Sequence, residues 1–242
     1  MDLPSYVVYN MNLSLESIME GQLLLVDKPR EWTSFQAVNK LRWAFKKKHK
    51  LKKLKVGHAG TLDPLATGLL LICTGKMTKK ISEIQALEKA YTGIITLGAT
   101  TPSYDLETAI DKSYSVNHIN QNIINVVKKK FEGEIDQYPP IFSAIKKDGK
   151  RLYDLARKGE KTKIESRKVT IYSFDFTQID THQLHFHIIC SKGTYIRSLA
   201  HDFGKALQSG GYLSQLRRIA IGSYRVENAL TPDQIIEKLE RL

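Results

Sequence analysis

Apolar positions recur along the chain in two rhythms, and the change from one to the other outlines its elements. QLLLVDKP (22–29) is a nearly continuous apolar run stopped by Pro29 and predicts a buried strand. TSFQAVNKLRWAFKKK (33–48) opens with two possible N-caps, Thr33 and Ser34. Phe35, Val38, Leu41 and Phe45 then return at nearly helical spacing, which predicts a helix. GHAGTLDPLATG (57–68) has no consistent period and reads as a structured loop. GLLLICTG (68–75) and AYTGIITLG (90–98) predict two further short, buried strands.

Further on, Ile119, Ile123, Ile124, Val127 and Phe131 mark an amphipathic helix. VTIYSFDF (169–176) and QLHFHIIC (183–190) alternate apolar and polar residues as half-buried strands do. TYIRSLAHDFGKALQSGG (194–211) carries Ile196, Leu199, Phe203 and Leu207 at helical spacing and stops at a Gly pair. RRIAIGSYRV (217–226) reads as a strand, and Thr231-Pro232 caps a final helix that runs through Leu242. Strands, hairpins and helices mix without a regular βαβ order. The expected class is therefore α+β with a largely antiparallel sheet, without repeats, linkers or an evident domain break.

Composition narrows the partner. The 242 residues, 42% hydrophobic and 26% charged, suit one soluble domain or two small ones. No apolar run reaches the roughly 18–20 residues of a membrane helix, and the N-terminus lacks the pattern of a secretory signal. Cys73 and Cys190 lie in apolar runs and are expected as buried free thiols in a reducing cytoplasm. The net charge of +12 is unevenly placed. Between Trp32 and Leu62 there is no acid, while Lys40, Arg42, Lys46, Lys47, Lys48, Lys50, Lys52, Lys53 and Lys55 make nine positives. Such a patch attracts polyanions by releasing condensed counterions, which puts nucleic acid first among partners; a solvated Lys-rich loop is the alternative.

Candidate chemistry is sparse. HDFG (201–204) lacks every companion motif of a kinase, and Gly75-Lys76 lacks the glycines of a phosphate-cradling loop. His58 and Asp63 have no His or Cys cluster to complete a metal site. No metal and no cofactor are expected. What remains is Asp63, alone after the lysine run, either a turn residue or a reactive carboxylate in a cationic cleft. Glycines on both sides of it would permit a ligand to approach the backbone closely.

Two downstream segments offer complements. YPPIFSAIKKDGKRLYDLARKGE (138–160) interleaves aromatics with Lys146, Lys147, Lys150, Arg151, Arg157 and Lys158, which suits phosphate neutralisation with base stacking, or an ordinary surface hairpin and helix. In KGTYIRSL (192–199), Tyr195 and Arg197 lie two apart and would share a face if extended, with Arg197 able to pair with Asp63; a half-buried Tyr and a surface Arg are the alternative.

At these residues the sequence resembles a known family. GHAGTLDPLATGLL is similar to the catalytic loop of the TruB family of tRNA pseudouridine synthases, which modify uridine 55 of the T-loop. LLLVDKPREWTSF resembles its first motif with Lys28 and Pro29 in place, and KAYTG supplies its tyrosine as Tyr91. PPIFSAIKKDGKRLYDLARKGE resembles the substrate-gripping insertion, CSKGTYIRSLAHDFG the Tyr-Arg segment, and YLSQLRRIAIGSY the closing motif with Leu216. The likeness runs from about Gly21 to Leu230. It implies an N-terminal extension over 1–20, a catalytic domain over 21–242 with an insertion at about 135–160, and a short form without the C-terminal PUA domain of many members.

The resemblance further implies a pseudouridine synthase fold, with a mixed, largely antiparallel central sheet flanked by helices. It implies an isomerase needing no cofactor, acting on the T-arm stem-loop of tRNA as a cytoplasmic monomer. Asp63 takes the catalytic part, either attacking C1′ of the ribose or removing a C2′ proton. Tyr91 stacks on the flipped uracil, Tyr195 lies beside it, and Arg197 pairs with Asp63. His58 contacts RNA bases, Leu216 lines the pocket and Lys28 supports the site. An RNA-binding protein without catalysis, the same chemistry on another RNA and a glycosidase are the competing readings.

Overall fold

A computed structural model describes residues 11–143, 146–147, 150–151, 164–180 and 182–242. The first elements in chain order are α1 (Leu15–Glu20), β1 (Leu23–Lys28), α2 (Ser34–Lys48), β2 (Val56–His58), β3 (Thr67–Thr74) and α3 (Ile81–Ala86). They are followed by β4 (Lys89–Leu97), β5 (Ala99–Thr100), β6 (Lys112–Ser113), α4 (Gln121–Lys128), β7 (Gly133–Gln137), β8 (Lys146–Lys147) and β9 (Lys150–Arg151). The last are β10 (Arg167–Ile179), β11 (Gln183–Cys190), α5 (Ile196–Ala206), β12 (Gly211–Ile221), β13 (Tyr224–Arg225) and α6 (Pro232–Glu240). The class is α+β, with mostly antiparallel sheet flanked by helices. The chain divides into two compact units, Met1–Lys89 with Arg217–Leu242, and Ala90–Leu216.

In the first unit β3 is the central strand. It pairs antiparallel with β1, from Leu23 opposite Cys73 to Lys28 opposite Gly68, and antiparallel with β2. It also pairs parallel with the end of β12, which returns through β13 as a hairpin. From Gly68 onward β3 is buried throughout, which is why its sequence is a continuous apolar run instead of an alternation. The period of two still operates within it. Leu24, Val26, Leu70 and Ile72 face a core formed with Val38, Leu41 and Phe45 of α2 and Ile235 and Leu239 of α6. Leu23, Leu25, Leu69, Leu71 and Cys73 face a second core with Ile84, Ile221 and Val226.

Thr33 starts α2 with a capping box shared with Gln36, and Thr231 starts α6 in the same way with Gln234 and Pro232. The cap fixes the phase of α2 and corrects one expectation. Phe35 does not join the apolar face; it is 61% exposed, and the buried positions are Ser34, Ala37, Val38, Leu41, Ala44 and Phe45. Part of the expected N-terminal extension is built into this core, because Met11, Leu13 and Ile18 pack there. Residues 1–10 lie outside the described residues.

In the second unit the strand order is β12–β4–β11–β10–β7, with β12 entering through its first six residues, Gly211 to Leu216. β10 and β11 form a long antiparallel hairpin with two register shifts, and β7 pairs antiparallel with β10. The rings of Phe174 and Phe176 on β10 meet Phe203 of α5, which also contacts Phe131. Gly93 sits where β4 and β12 approach closely, and a Cβ there would lie 2.4 Å from the carbonyl oxygen of Gln215. Of the segment 138–160, the backbone pairs β8 with β9 as a hairpin, while 144–145, 148–149 and 152–160 fall outside the described residues. Cys73 and Cys190 are both buried, and burial pushes the Cys73 thiol up to about 11. Among the described residues no helix is long and apolar enough to cross a membrane.

Candidate active site

Asp63 lies in the eight-residue connection between β2 and β3 and is half-buried. The backbone on both sides of it is fixed. Ser34, the first residue of α2, donates its hydroxyl to the Leu62 carbonyl (3.1 Å) and accepts the Leu62 N–H (2.8 Å). The Pro64 carbonyl accepts from the Glu31 N–H (2.8 Å) and from Lys28 Nζ (3.3 Å). The Asp63 carbonyl itself accepts the Ala66 N–H (3.1 Å), closing a turn across Pro64 and Leu65. The loop with no period in sequence is thus held through its main chain at three successive residues, Leu62, Asp63 and Pro64.

Lys28 ends β1 with its side chain fully enclosed. Its Nζ also donates to the carbonyls of Pro29 (2.8 Å) and Trp32 (2.6 Å), so three carbonyls from two loops converge on one ammonium. Burial lowers its pKa to about 8, opposed by the nearby Asp63 carboxylate. A value of about 8 still leaves the group protonated at pH 7, with three N–H bonds for three acceptors.

The closing strand supplies a second buried cation. Arg218 is 1% exposed; its Nε donates to the Leu69 carbonyl (2.7 Å) and its Nη2 to the Gly60 carbonyl (3.0 Å). The parallel register that places Arg218 opposite Gly68 needs a residue without a side chain at that point. Gly68 has φ +101°, and a Cβ on it would lie 2.3 Å from the Arg218 carbonyl oxygen. Arg217 next to it points elsewhere and grips Asp27 through two bonds of 3.0 and 2.7 Å.

His58 ends β2, two residues before the Arg218 contact at Gly60. Burial, and then the nearby Arg218 guanidinium, push its pKa below the ordinary 6.5, so the imidazole is neutral at pH 7. Its Nδ1 is buried with no hydrogen-bond partner among the described residues. Because the unfolded chain takes up this proton at a higher pH than the folded one, stability is lost as pH falls through about 6.5. Denaturant titrations of His58→Gln between pH 5 and 7 should show a shallower loss than the unmutated chain, by no more than about 1.4 kcal/mol per pH unit. Equal slopes would remove His58 from that account.

The second unit holds the other expected residues. Tyr91 is nearly fully buried on β4, and Leu216 is half-buried on β12. Tyr195 is the N-cap of α5 and Arg197 already lies in its first turn. The extended arrangement in which they would share a face does not occur, since helical geometry turns residues two apart by roughly 200°. The backbone of Tyr195 is held at both groups by the buried Gln137, whose side chain accepts the Tyr195 N–H (2.7 Å) and donates to its carbonyl (3.0 Å). The Arg167 guanidinium covers the Tyr195 ring at 4.5 Å from its centroid.

Arg197 is buried, not on the surface. It donates to the carbonyls of Ser103 (3.3 Å) and Phe142 (3.0 Å) and lies 3.6 Å from the buried carboxylate of Asp105. Asp105 belongs to the polar loop TTPSYDLET (100–108), where the Thr101 and Ser103 hydroxyls donate to the Asp105 carbonyl and the Ser103 and Thr108 hydroxyls bond each other.

Ser34, Gln137, Asp105 and Arg218 were missed from sequence as positioning groups. Arg218 had a signal: a charge inside the apolar-rich strand LRRIAI must find acceptors or leave the core. Ser34 and Gln137 act on backbone groups remote in sequence, and nothing local marks them.

Residues 46–196 match the model for the TruB family pseudouridylate synthase N-terminal domain. The tRNA pseudouridine synthase B of Flavobacterium johnsoniae is 61% identical over 93% of the chain and 99% of that protein. That of Phocaeicola vulgatus is 48% identical over 92% and 94% respectively. Among solved structures, a chain of a Cbf5-Nop10-Gar1 complex superposes with a TM-score of 0.69 at 27% identity, over 96% of this chain and 58% of that one. With a family model matched over more than half its length and relatives matched nearly end to end, the chain belongs to the TruB family of pseudouridylate synthases.

Proposed function

We propose that the chain isomerises uridine to pseudouridine in tRNA, at uridine 55 of the T-loop, with Asp63 as the reacting group. The observation that carries the reading is the fixing of main chain at Leu62 and at Pro64, on either side of Asp63. A turn aspartate that only accepts local hydrogen bonds needs no such hold. A carboxylate that must meet one atom of a substrate does, because positioning errors near 1 Å cost orders of magnitude in rate.

The reaction breaks the N1–C1′ bond of uridine, turns the uracil and forms a C5–C1′ bond, with the C5 proton lost and N1 protonated. Positive charge grows on the ribose as the first bond breaks, and a carboxylate stabilises it or bonds to it, as in glycosidases. The target base is first extruded from the T-loop at a cost of a few kcal/mol. Stacking on Tyr91 offsets about 1–3 kcal/mol of that cost. Tyr195 stands beside the same base, Leu216 lines the pocket, and Arg197 serves as counter-ion to Asp63. His58, neutral at pH 7, contacts bases through an imidazole that neither repels cations nor attracts phosphate. Lys28 holds the loop and takes no part in bond changes.

In this reading residues 21–242 act as one catalytic domain, with the segment of about 135–160 gripping the RNA, as a cytoplasmic monomer. An RNA-binding protein without catalysis would need the basic patch but not the held carboxylate. The deciding experiment incubates the purified protein with an unmodified T-arm stem-loop, without added metal or nucleotide, and maps pseudouridine by position. Product confined to the uridine corresponding to position 55 supports the reading. Unchanged uridine, or product at another position, overturns it.

A further inference from the structure

Helix α2 presents a face that neither the core nor the Asp63 loop uses. At about 100° per residue, Phe35, Asn39, Arg42, Trp43, Lys46 and Lys47 occupy a sector of roughly 140° on the side away from the buried residues. Phe35 and Trp43 are 61% and 64% exposed, the two largest exposures of any aromatic ring on this helix. Lys47 Nζ stands 5.0 Å from the Trp43 ring centroid, and Arg42 is tied to Asn39 by a 2.5 Å bond. Lys40, at the border of this face, is already paired with Asp233 of α6. Lys46, Lys47, Lys50, Lys52, Lys53 and Lys55 ion-pair with no carboxylate among the described residues.

Two flat rings about 12 Å apart along a helix axis, bordered by unpaired cations, differ from a protein-docking groove. The rings are separated by polar side chains and form no contiguous apolar surface. They match a single-strand or loop segment of RNA, whose bases stack on aromatic rings while its phosphates meet lysines. We propose that the outer face of α2 is a second RNA-contact surface, where Trp43 and Phe35 stack unpaired bases of the tRNA other than the uridine being modified. Lys46, Lys47 and the lysines that follow neutralise the adjoining phosphates. The proposal rests on tRNA being the substrate.

Only two tryptophans are present, so the test is direct. Saturating unmodified tRNA should quench the emission of the unmutated protein, and Trp43→Phe, which keeps Trp32 alone, should lose most of that quench. Trp43→Ala should raise KM and the tRNA Kd by about tenfold with kcat within about twofold, and Trp43→Phe should restore binding to within about twofold. Unchanged affinity in Trp43→Ala, or a quench that persists in Trp43→Phe, overturns the surface. Pseudouridine formation by the unmutated protein is measured in the same samples, so a failure of this face stays distinct from a failure of the reaction itself.

Discussion

Asp63→Asn is expected to lower the rate of pseudouridine formation by at least about 10³-fold, equivalent to about 4 kcal/mol of transition-state stabilisation. The amide keeps the shape of the carboxylate, and the clamps on Leu62 and Pro64 act on main chain, so the loop should keep its course. Binding of tRNA, which draws on many phosphate and base contacts, should stay within about twofold. Single-turnover assays with enzyme in excess, beside a binding titration, separate the two quantities. Turnover above background in Asp63→Asn would end the assignment. A matching loss of binding would mean that the side chain is structural.

The second large effect is expected at Lys28. Lys28→Met fills nearly the same volume but leaves the carbonyls of Pro29, Trp32 and Pro64 without their donor. Unsatisfied buried acceptors typically cost 1–3 kcal/mol each, partly offset here because a buried charge is also removed, so a net loss of about 3 kcal/mol is expected. Pro64 adjoins Asp63, and a loop released there should lower kcat by about 10²-fold.

The pH response tests the same contacts from another side. The folded-state pKa of about 8 lies below the ordinary 10.5, so between these values the unfolded chain holds the extra proton. Stability attributable to Lys28 therefore rises with pH over that interval, and Lys28→Met should lack this rise. Activity of the unmutated protein should move the other way, because above about pH 8 a neutral amine has two N–H bonds for three carbonyls. Denaturation and turnover measured from pH 7 to 10 should thus diverge; parallel curves would contradict the assigned role.

Most of the fold was legible because two physical rules repeat along the chain. Continuous apolar runs gave β1, β3 and β4, and Thr33 and Thr231 announced their helices by cap chemistry. Phe35 misled because apolar spacing records only which residues could face a core. The capping box at Thr33 sets the actual phase, and that phase turns Phe35 outward. Tyr195 and Arg197 would share a face only in an extended segment, and the helix expected over 194–211 has already begun at Ile196.

At the site, Asp63, His58 and Lys28 stood out as charges or polar groups in unusual settings. Their supports did not. Ser34 bonds Leu62 from 28 positions away, and Gln137 holds Tyr195 from 58. Such groups act through main-chain atoms, which every residue possesses, so no side-chain pattern at the target betrays them.

The first unit is assembled from both ends of the chain, and this has a consequence for its birth on the ribosome. A nascent chain that has emerged as far as Leu216 already contains Asp63 and all of β3. It still lacks Arg218 beneath Gly60, and Ile235 and Leu239 against α2. Until Arg217–Leu242 clear the exit tunnel, Gly60 and the core face of α2 lack these partners and the first unit cannot close. Completion of the first unit therefore waits for residues 217–242, although Ser34 and Lys28, which hold the main chain beside Asp63, are made early.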